Sequence, residues 1–502
     1  MIRKLLVANR GEIAIRVIQA AQEMGIRTVA VYSDADAHLP HALMADEAVC
    51  IGEPEPVRSY LEIARVIAAA TETGADAIHP GYGFLSERVE FAEACAEAGI
   101  VFVGPPPEAS RRLGAKIGAK ELAEAAGVPV APGLFRAGAT DAELRAAAER
   151  IGYPVMLKAS AGGGGRGMRV VRDPASFEAS LEAASGEALR AFGDGTMMVE
   201  KLVENPRHIE VQVLADQHGH VAALYERECS VQRRHQKLIE EAPAPGMTEE
   251  LWAAMRAASV SLALAAGYQG AGTVEFMVDP ASGAFHFLEV NARLQVEHPV
   301  TEEVCGVDLV QWQLRIANGE PLAGDARLSR LMSGDRRELC GHAIEARIVA
   351  EDPSRGFMPS SGRILTWVEP KRPGVRVDSG YGPGLEVSRF YDSLMAKVIA
   401  HAESRDGTIR RLCAALRDFH IIGVPTNIPF LLDVLDHPDF RAGKVDTGFL
   451  PRSFAGWSLP QVSPPELGAL VRAAGPEAVA PGDRQAGRTA WTLGDQWRVA
   501  RG

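Results

Sequence analysis

Residues 289–297 alternate polar and apolar side chains without a break: Glu289, Asn291, Arg293, Gln295 and Glu297 against Val290, Ala292, Leu294 and Val296. A period of two belongs to a β-strand with two unlike faces. At roughly 3.3 Å per residue the polar row would run for about 26 Å, more than one small-molecule site needs. The pattern predicts a strand, or a strand running into a loop, that serves a metal end and a chemical end. Residues 272–278 alternate in the same way, and the turn-forming Asp279-Pro280-Ala281-Ser282-Gly283 joins the two runs into a predicted hairpin. Such a hairpin brings Glu275 to within about one residue of register with Glu289, and like charges facing each other across strands are unfavourable. A cation, or a proton on one of them, would relieve the repulsion. Glu275, Glu289 and Asn291 are hard oxygen donors of the kind Mg²⁺ takes together with substrate phosphates. A solvated polar face on an ordinary antiparallel sheet is the other reading of the same pattern.

The first hundred residues follow a different rhythm. Short apolar runs at 5–8, 28–32, 77–79 and 101–103 read as strands, and amphipathic stretches at 13–24, 60–73 and 91–98 read as helices. Strands and helices in alternation with short links predict a doubly wound parallel sheet. The turn after the first strand is Asn9-Arg10-Gly11-Glu12, not a GxGxxG fingerprint, which argues against a nicotinamide cofactor. His79-Pro80-Gly81-Tyr82-Gly83 and Ser86-Glu87 fall beyond the carboxyl ends of such strands, where functional residues collect, although a structural turn explains the glycines equally well.

A second unit starts near Lys116. Lys158 ends a strand-like run and is followed by Ala161-Gly162-Gly163-Gly164-Gly165-Arg166-Gly167. Four consecutive glycines suit neither helix nor strand, but their bare amides can approach a phosphate closely. The GxxxxGK[ST] spacing of a Walker A loop is absent. Residues 197–203 read as a strand ending in a hinge, and 208–214 alternate as a strand. The run 226–237, from Glu226 through Arg233-Arg234-His235-Gln236-Lys237, mixes charges of both signs and reads on its own as a surface loop. Residues 341–352 alternate again, with Glu345 and Arg347 on one face, and 395–400 predict another strand. Beyond about Pro451 the chain is rich in Pro, Ala and Gly, which predicts a tail with a strand-like remnant at 489–500.

Charge and cysteines narrow the class. Fifty-three Lys and Arg against 65 Asp and Glu leave a net charge of −12, which speaks against a nucleic-acid footprint. The six cysteines show no CxxC spacing and read as reduced thiols. No apolar run reaches the length of a membrane span, and Met1-Ile2-Arg3-Lys4 leads straight into a strand rather than a targeting peptide, so a cytoplasmic location is expected.

Together the motifs Ala8-Asn9-Arg10-Gly11-Glu12, His79 to Glu87, 158–168, Ser230-Val231-Gln232-Arg233-Arg234-His235-Gln236-Lys237 and 289–302 resemble the biotin carboxylases of the ATP-grasp superfamily. Within that family the chain looks most like the biotin-carboxylase part of acetyl-, propionyl- or methylcrotonyl-CoA carboxylase α subunits. The resemblance implies an α/β fold. It would comprise an N-terminal doubly wound parallel (pre-ATP-grasp) sheet over 1–115, then an ATP-grasp α+β domain over 116–320 with a mobile Gly-rich lid near 131–203. A mostly antiparallel C-terminal α+β domain would follow over 335–446, with 451–502 as a tail or a remnant of an assembly domain.

By the same resemblance, Lys116, Lys158, Gly164, Gly165, Glu200, Lys201, Leu202, His208, Gln232 and His235 match ATP-binding positions. Glu275, Glu289 and Asn291 match ligands of Mg²⁺ or Mn²⁺. Lys237, Arg293, Gln295, Val296 and Glu297 match the bicarbonate site, and Arg347 the residue that meets biotin. The implied reaction is ATP-dependent carboxylation of biotin by bicarbonate through carboxyphosphate, with Glu297 as base and Arg293, Arg347 and Lys237 as the other catalytic groups. Ala161 stands where many relatives have a fifth glycine. No Met-Lys-Met biotinylation motif occurs in the sequence, so a separate biotin carrier and a carboxyltransferase are the expected partners, along with a second copy of the chain. A different ATP-grasp carboxylate–amine ligase and an inactive assembly subunit are the rival readings.

Overall fold

The computed structural model describes residues 1–160, 167–234 and 236–459. The glycine tract, including Gly164 and Gly165, lies outside these residues, as do His235 and the predicted strand at 489–500. The N-terminal sheet is parallel throughout, in the order Glu47–Gly52, Arg27–Ser33, Lys4–Val7, Ala77–His79, Val101–Phe102. The first of these strands, Glu47–Gly52, was not legible in the sequence. Its exposed and half-exposed residues alternate along an edge, and its apolar run is only the four residues from Ala48 to Ile51.

Lys4–Val7 lies between Arg27–Ser33 and Ala77–His79, so the loops leaving its two neighbours run to opposite sides and a crevice opens at their carboxyl ends. There Asn9 donates to the Pro80 and Tyr82 carbonyls at 2.8 and 2.7 Å, tying the two predicted motif loops together. Gly81 has φ +61°, and a Cβ on it would lie 2.9 Å from Asn9 Nδ2, so the turn needs glycine both for its conformation and for its clearance. Arg10 pairs with both oxygens of buried Asp36, at 2.6 and 2.8 Å, and stacks over the ring of Tyr391 from the C-terminal half of the chain.

An eight-stranded antiparallel sheet carries the rest. Its order is Phe285–Asn291, Gly270–Val278, Arg207–Ala215, Val221–Arg233, Gln236–Ala242, His342–Val349, Leu394–Ala402, Val375–Ser379. It runs without interruption from the predicted ATP-grasp segment into the predicted C-terminal segment, because Gln236–Ala242 pairs with His342–Val349. One face packs Ile399, Ala343 and Ala242 against the helices His298–Cys305 and Leu309–Ala317. The other packs Ile344, Ala346, Val398 and Ala400 against Arg405–Asp418 and Ile428–Asp436. A smaller antiparallel sheet, in the order Gly133–Leu134, Met197–Lys201, Val155–Ala159, Met168–Val171, contains the predicted hinge strand. At the end of the first compact unit, Trp457 sits 5.1 Å from the ring of Phe430 and joins that second core.

The run 226–237 is the main departure from the sequence reading. It is not a surface loop but the paired strands Val221–Arg233 and Gln236–Ala242, with Glu226, Arg227 and Glu228 buried. Its charges are matched by partners far away in sequence, which a local reading cannot see. No helix among the described residues is long and apolar enough to cross a membrane.

Candidate active site

Strand register builds the site. Glu289 pairs with Glu275, Glu275 with Glu210, and Glu210 with Arg227, so three carboxylates and a guanidinium form one row across four strands. Directly paired residues point to the same face at the strand spacing of about 4.8 Å. Three adjacent carboxylates repel each other, and the fold answers with cations. Lys237 Nζ lies 2.5 Å from Glu210, 2.9 Å from Glu275 and 2.5 Å from Glu297. Arg227, fully buried, donates to Glu210, Gln212, Thr301, Thr273 and Gln295 at 2.5–3.1 Å. His208 Nε2 is 2.9 Å from the other oxygen of Glu275.

The alternating run 289–297 is a strand only as far as Asn291. Residues 292–297 form a loop, and the helix His298–Cys305 begins with Glu297 at its N-cap. The loop turns the polar residues onto Glu275. Asn291 Nδ2 and Gln295 Nε2 both donate to Glu275 Oε1 at 2.8 Å, and Arg293 Nη2 donates to Asn291 Oδ1 at 2.9 Å. Arg293 also lies 3.3 Å from Glu87 of the N-terminal domain. Arg347 reaches in from the next part of the sheet, donating to Glu240 at 2.6 Å and to Glu297 Oε2 at 3.0 Å.

Electrostatics follow from burial and partners. Burial pushes Glu297 up, but Lys237, Arg347 and Arg227 together hold it below the usual carboxylate range. Glu275 is likewise depressed, its burial overcome by Lys237 and His208. Lys237 is raised well above an ordinary lysine, because Glu210, Glu275 and Glu297 outweigh its desolvation. Glu289 goes the other way: burial and then Glu275 raise it. That end of the row is short of positive charge. Glu275, Glu289 and Asn291 present the hard oxygens a divalent ion would take, and the raised Glu289 is the observation that a cation there would relieve. The closer group His208, Glu210 and Glu275 already carries Lys237 and Arg227, so it has less need of one.

A second cluster lies at the small sheet. Lys116 and Lys120, four residues apart on the helix Lys116–Ala125, share a face. Lys120 is 2.8 Å from Glu200, and Lys158 bonds the other Glu200 oxygen. Two ammonium groups thus pair with one fully buried carboxylate, and the third, Lys116, lies within the field of Glu289 and Glu200. Burial lowers both Lys116 and Lys120, and an incoming polyanion would relieve this excess of positive charge. Gln232 is half-buried near the tip of the strand pair that carries Lys237. Lys201 turns its ammonium to the carbonyls of Gly152 and Tyr153, at 2.9 and 3.3 Å, and the Leu202 N–H donates to Pro154 at 3.3 Å. The Lys201 ammonium is thus already taken up by backbone carbonyls of the neighbouring strand's approach.

Glu200 yields a pH prediction. Burial raises it, but Lys158 and Lys120 bring it down to about 2. A depressed carboxylate stabilises the fold above its unfolded value and loses that stabilisation as pH falls toward its folded value. Acid unfolding between about pH 4.5 and 2 should therefore be less steep for Glu200→Gln in a pH series of urea midpoints. The same variant should lose about 3–5 kcal/mol at pH 7, because two buried ammonium groups lose their partner.

Sequence reasoning passed over Lys120, Glu210, Arg227 and Glu240, all buried against predicted site residues. The i, i+4 spacing from Lys116 could have flagged Lys120, and the alternation in 208–214 could have flagged Glu210. Arg227 and Glu240 gave no local signal.

Relatives place this geometry in a family. Residues 1–110 match the model of the biotin carboxylase N-terminal domain, 345–452 that of the biotin carboxylase C-terminal domain, and 115–324 that of the ATP-binding domain of the carbamoyl-phosphate synthase L chain. A biotin carboxylase of Nostoc sp. is 51% identical over 89% of this chain and 98% of its own length. The mitochondrial methylcrotonoyl-CoA carboxylase subunit alpha of Oryza sativa is 50% identical over 90% of this chain, which spans only 60% of that protein. A solved structure shares 44% identity and a TM-score of 0.86 over 92% of this chain and all of its own: the biotin carboxylase domain dimer of Hydrogenobacter thermophilus 2-oxoglutarate carboxylase, with magnesium ADP, ADP and bicarbonate. With the N- and C-terminal models flanking an ATP-binding domain on one continuous fold, the chain belongs to the biotin carboxylase family.

Proposed function

We propose that this chain carboxylates biotin with bicarbonate at the expense of ATP, and that the observation carrying the reading is Glu297 bridged between Lys237 and Arg347. Held low by these two cations, Glu297 is a weak base in the resting protein. Bicarbonate drawn to Lys237 and Arg293 competes for one of its bonds, and a biotin ureido oxygen drawn to Arg347 competes for the other. Its basicity rises as both substrates are seated, which couples ATP cleavage to the presence of biotin. Glu297 then takes the bicarbonate proton while a bicarbonate oxygen attacks the γ-phosphorus, giving carboxyphosphate and ADP. Carboxyphosphate separates into CO₂ and phosphate, and the phosphate takes the N1 proton of biotin. The ureido anion so formed lies against Arg293 and Arg347, which stay charged, and attacks CO₂.

Lys116, Lys158, Glu200, His208 and Gln232, with the backbone at Lys201 and Leu202, are the described residues we assign to the nucleotide. Gly164, Gly165 and His235 complete that assignment from the sequence. Glu275, Glu289 and Asn291 would hold Mg²⁺ or Mn²⁺, which when bound would neutralise charge on the transferring phosphoryl group. Gln295 and the Val296 backbone complete the bicarbonate pocket. We divide the chain into domains over 1–115, 116–320 and 335–446, with a tail over 451–502. The biotin would arrive on a separate carrier, a carboxyltransferase would consume the product, and the chain would act as a homodimer. The six cysteines are all unpaired, which suits a reducing compartment, and we place the protein in the cytoplasm.

The test is phosphate release from ATP with Mg²⁺, varying bicarbonate and free biotin. The proposal expects hydrolysis that needs bicarbonate and rises with biotin. Bicarbonate-dependent hydrolysis indifferent to biotin and to a biotinylated carrier would favour another carboxylate–amine ligase. No hydrolysis under any of these conditions would favour an inactive subunit.

A further inference from the structure

We infer that Lys397 is a positioning residue for the bicarbonate loop, acting through the Val296 carbonyl with Glu12 as its counter-charge. The inference rests on the function proposed above. Lys397 has no solvent exposure, and its Nζ donates to the Val296 carbonyl at 2.9 Å. Glu12 Oε2 lies 3.2 Å from it and Asp378 Oδ2 3.7 Å. Glu12 is held in turn by the Tyr82 hydroxyl, and Asp378 by both arms of Arg376. Four parts of the chain thus meet at one ammonium group: the turn after the first strand, the loop 292–297, and the strands Val375–Ser379 and Leu394–Ala402.

A buried ammonium is costly unless paired and fully hydrogen-bonded, and an apolar side chain of similar volume is often as stable or more so. Space-filling alone therefore does not account for a lysine here. Its bond to Val296 does. That carbonyl belongs to the peptide whose N–H is on Glu297, so fixing it fixes the rotation into Val296 and out to Glu297. Strand register adds a second argument. Arg347 pairs directly with Lys397, so both point to the same face. Arg347 grips the Glu297 carboxylate and Lys397 the Val296 carbonyl. Two paired strands thereby hold two successive loop residues with two cations. Lys397 touches no reacting group in this arrangement; it sets the direction of groups that do.

The experiment compares wild type, Lys397→Met and the double variant Glu12→Gln/Lys397→Met in the full chain, with steady-state kinetics in bicarbonate and in ATP and thermal melts of each. The single variant should raise KM for bicarbonate by roughly 10–100-fold, with KM for ATP changed by less than about 2-fold. It should also melt lower, since Glu12 loses its cation. The double variant removes both charges and should recover most of the melting temperature while leaving KM for bicarbonate high. Recovery of both in the double variant, or equal rises in both KM values, would overturn the positioning role and leave a structural one. A wild type without bicarbonate dependence would instead remove the functional reading, and this inference with it.

Discussion

Replacing Glu297 with glutamine is expected to lower bicarbonate-dependent ATP cleavage by about 10²–10⁴-fold, the contribution of a positioned general base. Glutamine keeps the shape, but its single amide oxygen can accept from only one of Lys237 and Arg347, which donate to the two separate oxygens of Glu297 at 2.5 and 3.0 Å. Lys116, Lys158 and Glu200 are not among the partners of Glu297, so ATP affinity should stay near that of the wild type. Phosphate release under saturating ATP and bicarbonate measures the first, and nucleotide titration in the absence of bicarbonate measures the second. The variant carries one negative charge fewer on buried Lys237 and Arg347, so a modest drop in melting temperature is expected too. Near-normal turnover in a folded Glu297→Gln would remove Glu297 from the role of base and return the choice to other carboxylates, with Glu240 the nearest across Arg347.

Lys237→Met should be the more damaging change. The lysine is the shared partner of Glu210, Glu275 and Glu297, and its loss leaves buried carboxylates facing one another. Removing one side of a buried ion pair costs about 3–5 kcal/mol, a large part of the stability of an ordinary fold. The pH dependence gives the sign. Glu275 and Glu297 are depressed in the folded protein with Lys237 as the chief attractive cause. Their stabilisation is complete above the ordinary carboxylate range and is lost below it, as pH falls toward their lowered folded values. Lys237→Met should therefore lose most at neutral pH and differ least from wild type in acid. Adding Glu210→Gln should restore part of the stability, whereas bicarbonate-dependent turnover should stay lost because no ammonium faces the anion. Urea midpoints between about pH 2 and 8, read with phosphate release, separate the two effects.

Much of this was legible in the sequence because it is local. The hairpin that sets Glu275 opposite Glu289 follows from alternation and one turn, and the register agrees. The parallel sheet follows from strand–helix alternation, and the break after Asn291 was one of two readings the pattern allowed. What stayed hidden depends on distant partners. The charged run 226–237 looks solvated until Glu210, Gln212, Thr273, Gln295 and Thr301 are seen to enclose Arg227. Glu47–Gly52 offers only the short run Ala48–Ile51, half-exposed along the sheet edge, and parallel pairing with Arg27–Ser33 holds it in place. Lys397 sits in a run of apolar residues whose pattern predicts a buried strand. Nothing nearby says that its ammonium meets Glu12 nearly four hundred residues earlier.

The most direct test of the whole account uses bicarbonate labelled with ¹⁸O, with ATP, Mg²⁺ and biotin. If a bicarbonate oxygen attacks the γ-phosphorus and carboxyphosphate then releases CO₂, that oxygen remains on phosphorus. Mass spectrometry of the product phosphate should show one labelled oxygen per turnover. Phosphate free of label, formed in step with carboxybiotin, would contradict activation of bicarbonate by phosphoryl transfer and the role assigned to Glu297 with it.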